Sequence, residues 1–185
     1  MPARGSTFAG TARLLIEPLR AAHAPLLFPV LADPRLYAYL PDAAKDSVAL
    51  LFERFCALER GAAPEDRETW LNWVLRRRDS GAAVGTLQAT VHEDGRAWIG
   101  YALAPAQWSQ GFATEAGAWL VAELQRRYRL REILASVDVR NERSIALLER
   151  LGFVRAATEA AELRAEATTD HRYRLVCERG RDRAG

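Results

Sequence analysis

The chain has 185 residues, 49% of them hydrophobic, which is enough for one sizeable core and short for two, so a single domain is expected over 1–185, with its core at about 11–178 and short flexible termini. Twenty-six basic residues against 24 acidic ones leave a formal charge of +2, a near balance that disfavours a nucleic-acid or membrane surface. Cys56 and Cys177 are too few and too far apart for a disulfide framework or a metal cluster; no apolar run reaches the roughly 18 residues that span a bilayer, and MPARGSTFAG lacks a secretory apolar core, so a cytoplasmic protein without metal is the expectation.

In chain order, TARLLIEPLR, Thr11 to Arg20, reads as a first strand that stops near Pro18. Ala21 to Ala32 and Asp46 to Arg60 carry apolar residues at helical period. Pro34 and Pro41 break the region between them, and Asp46 or Ser47 is available as an N-cap. Val48, Leu51, Phe52 and Phe55 form the apolar face of the second helix. Gly61 to Glu68 is a loop, and Trp70 to Gly81 a strand ending in a turn, with Arg76 to Arg78 as a solvated strand end. Ala82 to Pro105 is a hairpin joined at Glu93, Asp94 and Gly95, the Asp-Gly pair being a strong tight-turn signal. Phe112 to Arg127 is a helix with Trp119, Leu120 and Leu124 on one side. Glu132 to Val139 returns as a strand, and Asn141 to Leu151 is a shorter helix whose Ile145, Leu148 and Leu151 share a face and which stops at Gly152. Gly152 to Val154 and His171 to Cys177 are the last strands, and RGRDRAG is a frayed tail. The succession predicts an α+β fold around a mixed sheet.

The stretch QWSQGFATEA, Gln107 to Ala116, lies where the hairpin's apolar alternation gives way to a helix. A Walker loop needs Gly-Lys, which is absent, and a dinucleotide fingerprint needs a glycine two residues after Gly111. What remains is a turn in which a backbone can approach a ligand, followed by a helix start whose free N–H groups and dipole attract anions. An ordinary strand-to-helix turn fits the ten residues equally well.

WSQGFATEA, preceded by IGYALAP and followed by VDVRNERSIALLERLGF, resembles the GCN5-related N-acetyltransferases (GNAT), in the branch of ribosomal-protein N-terminal (RimJ/RimL-like) acetyltransferases. The family loop has the form Arg/Gln-x-x-Gly-x-Gly/Ala; this branch commonly has Trp at its head, as Trp108 is here, with Gly111 and Ala113 on the small positions. Asn141, Ser144, Leu148, Gly152 and Phe153 fit the second signature, and TARLLIEPLR with LADPRLYAYLP fits the opening, so the likeness runs from about Thr11 to Cys177. It implies a mostly antiparallel mixed sheet splayed into a V, flanked by about four helices. It also implies acetyl coenzyme A as cosubstrate, with main-chain amides of about Gln110, Gly111, Phe112, Ala113 and Thr114 around its pyrophosphate. Pantetheine would then pair with strand backbone near Leu103, ahead of Pro105, which has no N–H to donate.

Acetyl transfer to an amine needs a neutral amine, a polarised carbonyl and a proton for the leaving thiolate. An α-amine with a pKa of about 8 costs roughly 1.4 kcal/mol to deprotonate at pH 7, and a lysine at about 10.4 roughly 4.6. The wider family's tyrosine acid falls at Leu148 and is missing; Ser144 resembles the branch's substitute and could equally be a coenzyme contact. Asn141 could cap its helix, contact the coenzyme, or do both. Tyr101 sits at a strand position able to face the slot, although core packing is commoner for such an aromatic. Glu115 suits a first helical turn, and Glu159, Glu162, Asp170 and His171 are unranked candidate bases. Phe28, Tyr37, Tyr39, Trp70 and Trp73 are pocket-wall or core aromatics. The expected activity is direct attack by a primary amine, from a protein N-terminus or a small molecule, in a ternary complex, since neither cysteine has an activating partner. The alternative is a coenzyme-binding sensor module without turnover. Pairing as a homodimer stays open.

Overall fold

The computed structural model describes residues 9–40, 42–44, 46–62 and 66–177. The expected frayed tail, the break at Pro41 and the middle of the loop after Gly61 lie outside them. Among the described residues, eight strands form one sheet: β1 (Ala9–Gly10), β2 (Leu14–Pro18), β3 (Glu68–Arg77), β4 (Ala83–His92), β5 (Arg96–Leu103), β6 (Glu132–Asp138), β7 (Val154–Leu163) and β8 (Glu166–Val176). Their spatial order is β1-β2-β3-β4-β5-β6-β8-β7. Every pairing is antiparallel except β5 with β6. The helices are α1 (Ala24–Leu31), α2 (Val48–Arg60), α3 (Phe112–Arg127) and α4 (Glu142–Arg150), and none of the described helices is long and apolar enough to cross a membrane.

Alternation along β3 divides the packing, because successive side chains point to opposite faces. Leu75 joins Leu14, Ile16, Leu87, Leu120, Leu124 and Leu148 in a cluster that takes in α3 and α4. Val74 joins Leu19, Leu27, Leu51 and Phe55 in a second cluster that takes in α1 and α2. Helices thus cover both faces of the sheet. The two helices of the first layer approach closely: a Cβ added at Gly117 of α3 would lie 2.6 Å from Leu151 Cδ1, just past α4. From the other side, the Tyr173 hydroxyl of β8 donates to Glu149 of α4 at 3.0 Å.

The parallel pair β5/β6 is short. Its register runs only from Arg96, Ala97 and Trp98 to Glu132, Ile133 and Leu134. Beyond Trp98, β5 stays with β4 as far as Leu103 opposite Gly85, while β6 stays with β8 as far as Asp138 opposite Asp170. The sheet therefore opens into the expected V.

Two local expectations are corrected. In α2, Leu51 and Phe55 are buried, but Val48 and Phe52 are exposed, so the inward face is narrower than the apolar stripe. The last two strands form one long hairpin that absorbs the whole stretch between Val154 and Val176, turning at Arg164 and Ala165, both at left-handed φ of 52° and 65°. Arg76 to Arg78 at the end of β3 keep the expected solvent exposure while also being bonded: Arg76 pairs with Glu17, Arg77 with Asp79, and Arg78 Nε donates to the Thr11 carbonyl at 2.8 Å.

Candidate active site

The loop after β5 is held from three sides. Trp108 Nε1 donates to the Leu103 carbonyl at 2.8 Å, and the Arg143 guanidinium lies 4.6 Å from the centre of the same indole. Gln110 turns away: its amide donates to the Ala106 carbonyl at 2.7 Å, and its own carbonyl accepts from Arg13 Nη1 at 2.9 Å. Gly111 then adopts φ +81° and ψ −1° as the N-cap of α3, a left-handed conformation that glycine enters without a Cβ penalty.

This helix start carries no side-chain cap. The Glu115 amide is bonded to the Gly111 carbonyl at 3.1 Å, so the N–H groups of Phe112, Ala113 and Thr114 precede the internal ladder and point outward, at the positive end of the helix dipole. The Phe112 side chain is core, 3% exposed, with Arg13 over its ring at 4.4 Å; only its main chain is offered to the loop. Glu115 is structural. Its carboxylate accepts from the Thr11 hydroxyl, from the Arg13 amide at 2.8 Å and from Arg13 Nε at 2.6 Å. Burial works against its ionisation, but these donors outweigh it and hold the carboxyl below its ordinary value.

On the other arm of the V, Asn141 caps α4, its Oδ1 accepting from the Ser144 amide at 3.2 Å. Asp138, 4% exposed at the end of β6, accepts from Arg140 at 2.6 to 2.9 Å and from the Thr168 hydroxyl at 2.9 Å. The Arg140 guanidinium above all holds the Asp138 carboxyl well below the usual carboxylate range. The Tyr39 ring lies 5.8 Å from the same guanidinium.

Between the arms is a cleft of about 940 Å³. Of the expected site residues, Leu103, Gly111, Ala113, Thr114, Asn141 and Ser144 line it together, and the side chains of Gln110 and Phe112 do not. The Leu103 carbonyl already accepts one hydrogen bond, from Trp108. The Ala104 amide bonds the Val84 carbonyl at 2.8 Å; by antiparallel alternation the main-chain groups of Tyr101 and the Leu103 N–H therefore face the gap. Tyr101 lines the cleft together with Ser144, and Leu148 is 1% exposed in the core. Gln107 Oε1, also in the lining, is a buried acceptor without a partner among the described residues.

Arg140, Arg143 and Arg150 line the same cavity and went unnoticed in the sequence, although Arg143 and Arg150 are seven residues apart and so share a helix face. Arg150 Nη1 donates to the Thr114 hydroxyl at 3.3 Å, placing a cation beside the open end of α3. The four candidate bases of the carboxyl-terminal region are not in the lining: Glu159 pairs with Arg172, Asp170 accepts from Ser136, and His171 contacts Thr158. Of the five aromatics Phe28, Tyr37, Tyr39, Trp70 and Trp73, Tyr39 alone joins the wall, while Tyr37 and Trp73 are buried and Trp70 is exposed. An anion-attracting helix end, two arginines, an open strand edge and a hydroxyl along one cleft suit an elongated ligand with phosphates at one end and a reactive group at the other.

Comparison with known proteins agrees. Residues 13–154 match the family described as Acetyltransferase (GNAT) domain. An uncharacterized N-acetyltransferase of Bacillus subtilis is 27% identical over 145 residues, covering 77% of this chain and 80% of that protein. Among solved structures, the fold resembles a ribosomal L7/L12 α-N-protein acetyltransferase in complex with coenzyme A (TM-score 0.80, 18% identity, 91% of this chain and 97% of that one). It also resembles spermidine N-acetyltransferase from Vibrio cholerae in complex with coenzyme A and spermine (TM-score 0.77, 16% identity, 91% and 98%).

Proposed function

The chain belongs to the GNAT acetyltransferase family, and from that premise we propose that it moves the acetyl group of acetyl coenzyme A onto the α-amine of a protein or peptide N-terminus. The observation that carries this reading is the uncapped start of α3, with left-handed Gly111, opening onto the cleft between β5 and β6. The residues present fit the coenzyme. The amides of Phe112, Ala113 and Thr114 with Arg143 and Arg150 suit its phosphates; the open edge of β5 and the unpartnered Gln107 Oε1 suit its amide-bearing arm. Bound there, acetyl coenzyme A supplies an activated thioester.

The chain's own groups hold and orient. Asn141 fixes the first turn of α4 and with it the Ser144 hydroxyl on the cleft wall, from which a proton can be delivered to a leaving thiolate. Cys56 lies on α2 and Cys177 beyond β8, where it accepts from Gln125 at 3.7 Å; neither lines the cleft, which supports direct attack over a covalent relay. The acceptor class follows from charge. With Arg35 paired to Asp33 and Arg140 to Asp138, and with Arg143 and Arg150 assigned to the coenzyme phosphates, the lining offers Glu142 as its one carboxylate, too few acidic groups to hold a polycation. An α-amine, with its pKa of about 8, also asks least of a general base, costing roughly 1.4 kcal/mol to deprotonate at pH 7. The single-domain organisation is part of the proposal and is supported by β3, which serves both packing clusters.

A panel of N-terminal peptides, polyamines and aminoglycosides, followed by release of free thiol from acetyl coenzyme A, tests the proposal. Peptides with free α-amines should turn over best and their N-blocked versions not at all. Preferential acetylation of polyamines would overturn the acceptor assignment.

A further inference from the structure

Arg13 stands behind the anion-attracting loop and outside the cleft. It lies in the turn between β1 and β2 and is not part of the cleft lining, yet it reaches the loop and the first turn of α3 at several points. Its Nη1 donates to the Gln110 carbonyl at 2.9 Å and its Nε to Glu115 at 2.6 Å, and its guanidinium carbon lies 4.4 Å from the centre of the Phe112 ring. Its Nη2 is 3.3 Å from the place that a Cβ on Gly111 would take.

The loop needs such a hold. Ser109 and Gly111 both have left-handed φ, 60° and 81°, and for Ser109, which carries a Cβ, that conformation is strained and persists only where the surroundings fix it. Trp108 and Gln110 tie their side chains to Leu103 and Ala106, within the same stretch of chain. Among the described residues, Arg13 is the one side chain that grips the main chain of this loop from outside it. The peptide between Gln110 and Gly111 is trans, so its carbonyl and its N–H point in opposite directions. With the carbonyl turned back to Arg13, the Gly111 N–H turns to the side of the cleft, which Gly111 lines, and it has no main-chain partner among the described residues.

We propose that Arg13 is a positioning residue for the coenzyme's pyrophosphate: by holding the Gln110 carbonyl from behind, it adds the Gly111 N–H to the amides of Phe112, Ala113 and Thr114 as a fourth donor on the cleft side. The inference rests on the acetyltransferase reading above. Shape rather than charge is the mechanism, since the Glu115 carboxylate beside it neutralises the cation. A planar fork serves a carboxylate, a carbonyl and a ring face at once, whereas a lysine ammonium is one compact charge on a flexible stem. Thr11 shares Glu115 with Arg13 and caps the Leu14 amide, without a side-chain bond to the loop.

Arg13→Met keeps an apolar stem over Phe112 and removes the fork. Coenzyme A affinity by calorimetry should fall about tenfold, as expected for one lost hydrogen bond from a charged donor. The kcat/KM for S-acetylpantetheine, a thioester with the same arm and no phosphates, should stay within about twofold of wild type, as should kcat with saturating acetyl coenzyme A. Arg13→Lys keeps the charge and should show most of the same loss; it also carries the comparison if Arg13→Met fails to fold. The loss should persist in Arg13→Met/Glu115→Gln, where no freed carboxylate can compete for the start of α3. Thr11→Val should lower Tm and leave coenzyme A affinity unchanged. Full affinity in Arg13→Met or Arg13→Lys, equal losses for the two thioesters, or recovery in the double variant would overturn the positioning role while leaving the acetyltransferase reading intact. Failure of the wild-type protein to bind coenzyme A would overturn both.

Discussion

The N-termini of α3 and α4 open on the same cleft and are finished in opposite ways. At α4 the Asn141 carbonyl oxygen occupies the Ser144 amide, so the helix start is closed by its own sequence and its first turn is fixed. At α3 the cap is Gly111, which brings no side chain, and three amides stay open toward the cleft. The first-turn carboxylate that could compete for that positive end, Glu115, is held by Thr11 and Arg13. One end is kept for a visitor, and the other is spent on holding a hydroxyl still. A helix start left uncapped beside a closed one is thus a sign of function, because capping is otherwise worth about 1 kcal/mol to the fold.

The comparison can be broken most severely at Gly111. Gly111→Glu adds bulk and negative charge beside the open amides, and coenzyme A affinity by calorimetry should fall by about 100-fold or more, roughly 2.8 kcal/mol. Gly111→Ala separates charge from strain: forcing a Cβ into the left-handed region costs about 1–2 kcal/mol of stability, and affinity should drop far less than in the glutamate variant. Equal affinity losses in the two would remove the charge argument.

Next in size is Glu115→Gln, which exchanges a carboxylate held by an arginine for an amide and should destabilise the fold by about 1–3 kcal/mol near neutral pH. The carboxyl is held below its ordinary value of 4.5, so its contribution is present above that pH and is lost as the pH falls through the lower folded value. The gap between wild type and variant in denaturant titrations should therefore close as the pH drops below 4.5; a constant gap would mean that charge is not what Glu115 contributes.

The smallest effect is expected at the closed end. Asn141→Ala should cost about 1 kcal/mol, or roughly 2–4 °C in Tm, with a further fall in kcat as the Ser144 turn loosens. Ser47, which caps α2 away from the cleft by accepting from the Leu50 amide at 3.2 Å, is the control: Ser47→Ala should lower Tm similarly and leave turnover unchanged.

Both helix ends were legible in the sequence because each rests on a local signal: a glycine ahead of a helical pattern, and an asparagine three residues before Ser144. The Asp94-Gly95 hairpin was legible for the same reason. The long β7/β8 hairpin was not, since its Ala and Glu content suits helices and its turn at Arg164 and Ala165 lacks the Gly or Asn that left-handed positions usually carry. The inward face of α2 depended on which apolar residues meet α1 and the sheet, a tertiary choice that periodicity does not decide. The cleft arginines became visible only when α4 was laid beside the start of α3, and the place of Tyr101 in the same lining needed the splay that parts the two arms of the sheet.

The short β5/β6 ladder has a thermodynamic consequence. A strand that loses its neighbour halfway along exposes backbone donors and acceptors in the manner of a sheet edge, here placed in the middle of the sheet. A ligand that pairs with those groups acts as a missing strand, and by mass action it stabilises the folded chain by about 2.7 kcal/mol at a concentration 100 times its Kd. Affinity and fold stability therefore draw on the same unfinished ladder, and any substitution that zips it further, lengthening the pairing past Trp98, would stiffen the protein while closing its reason for having a cleft.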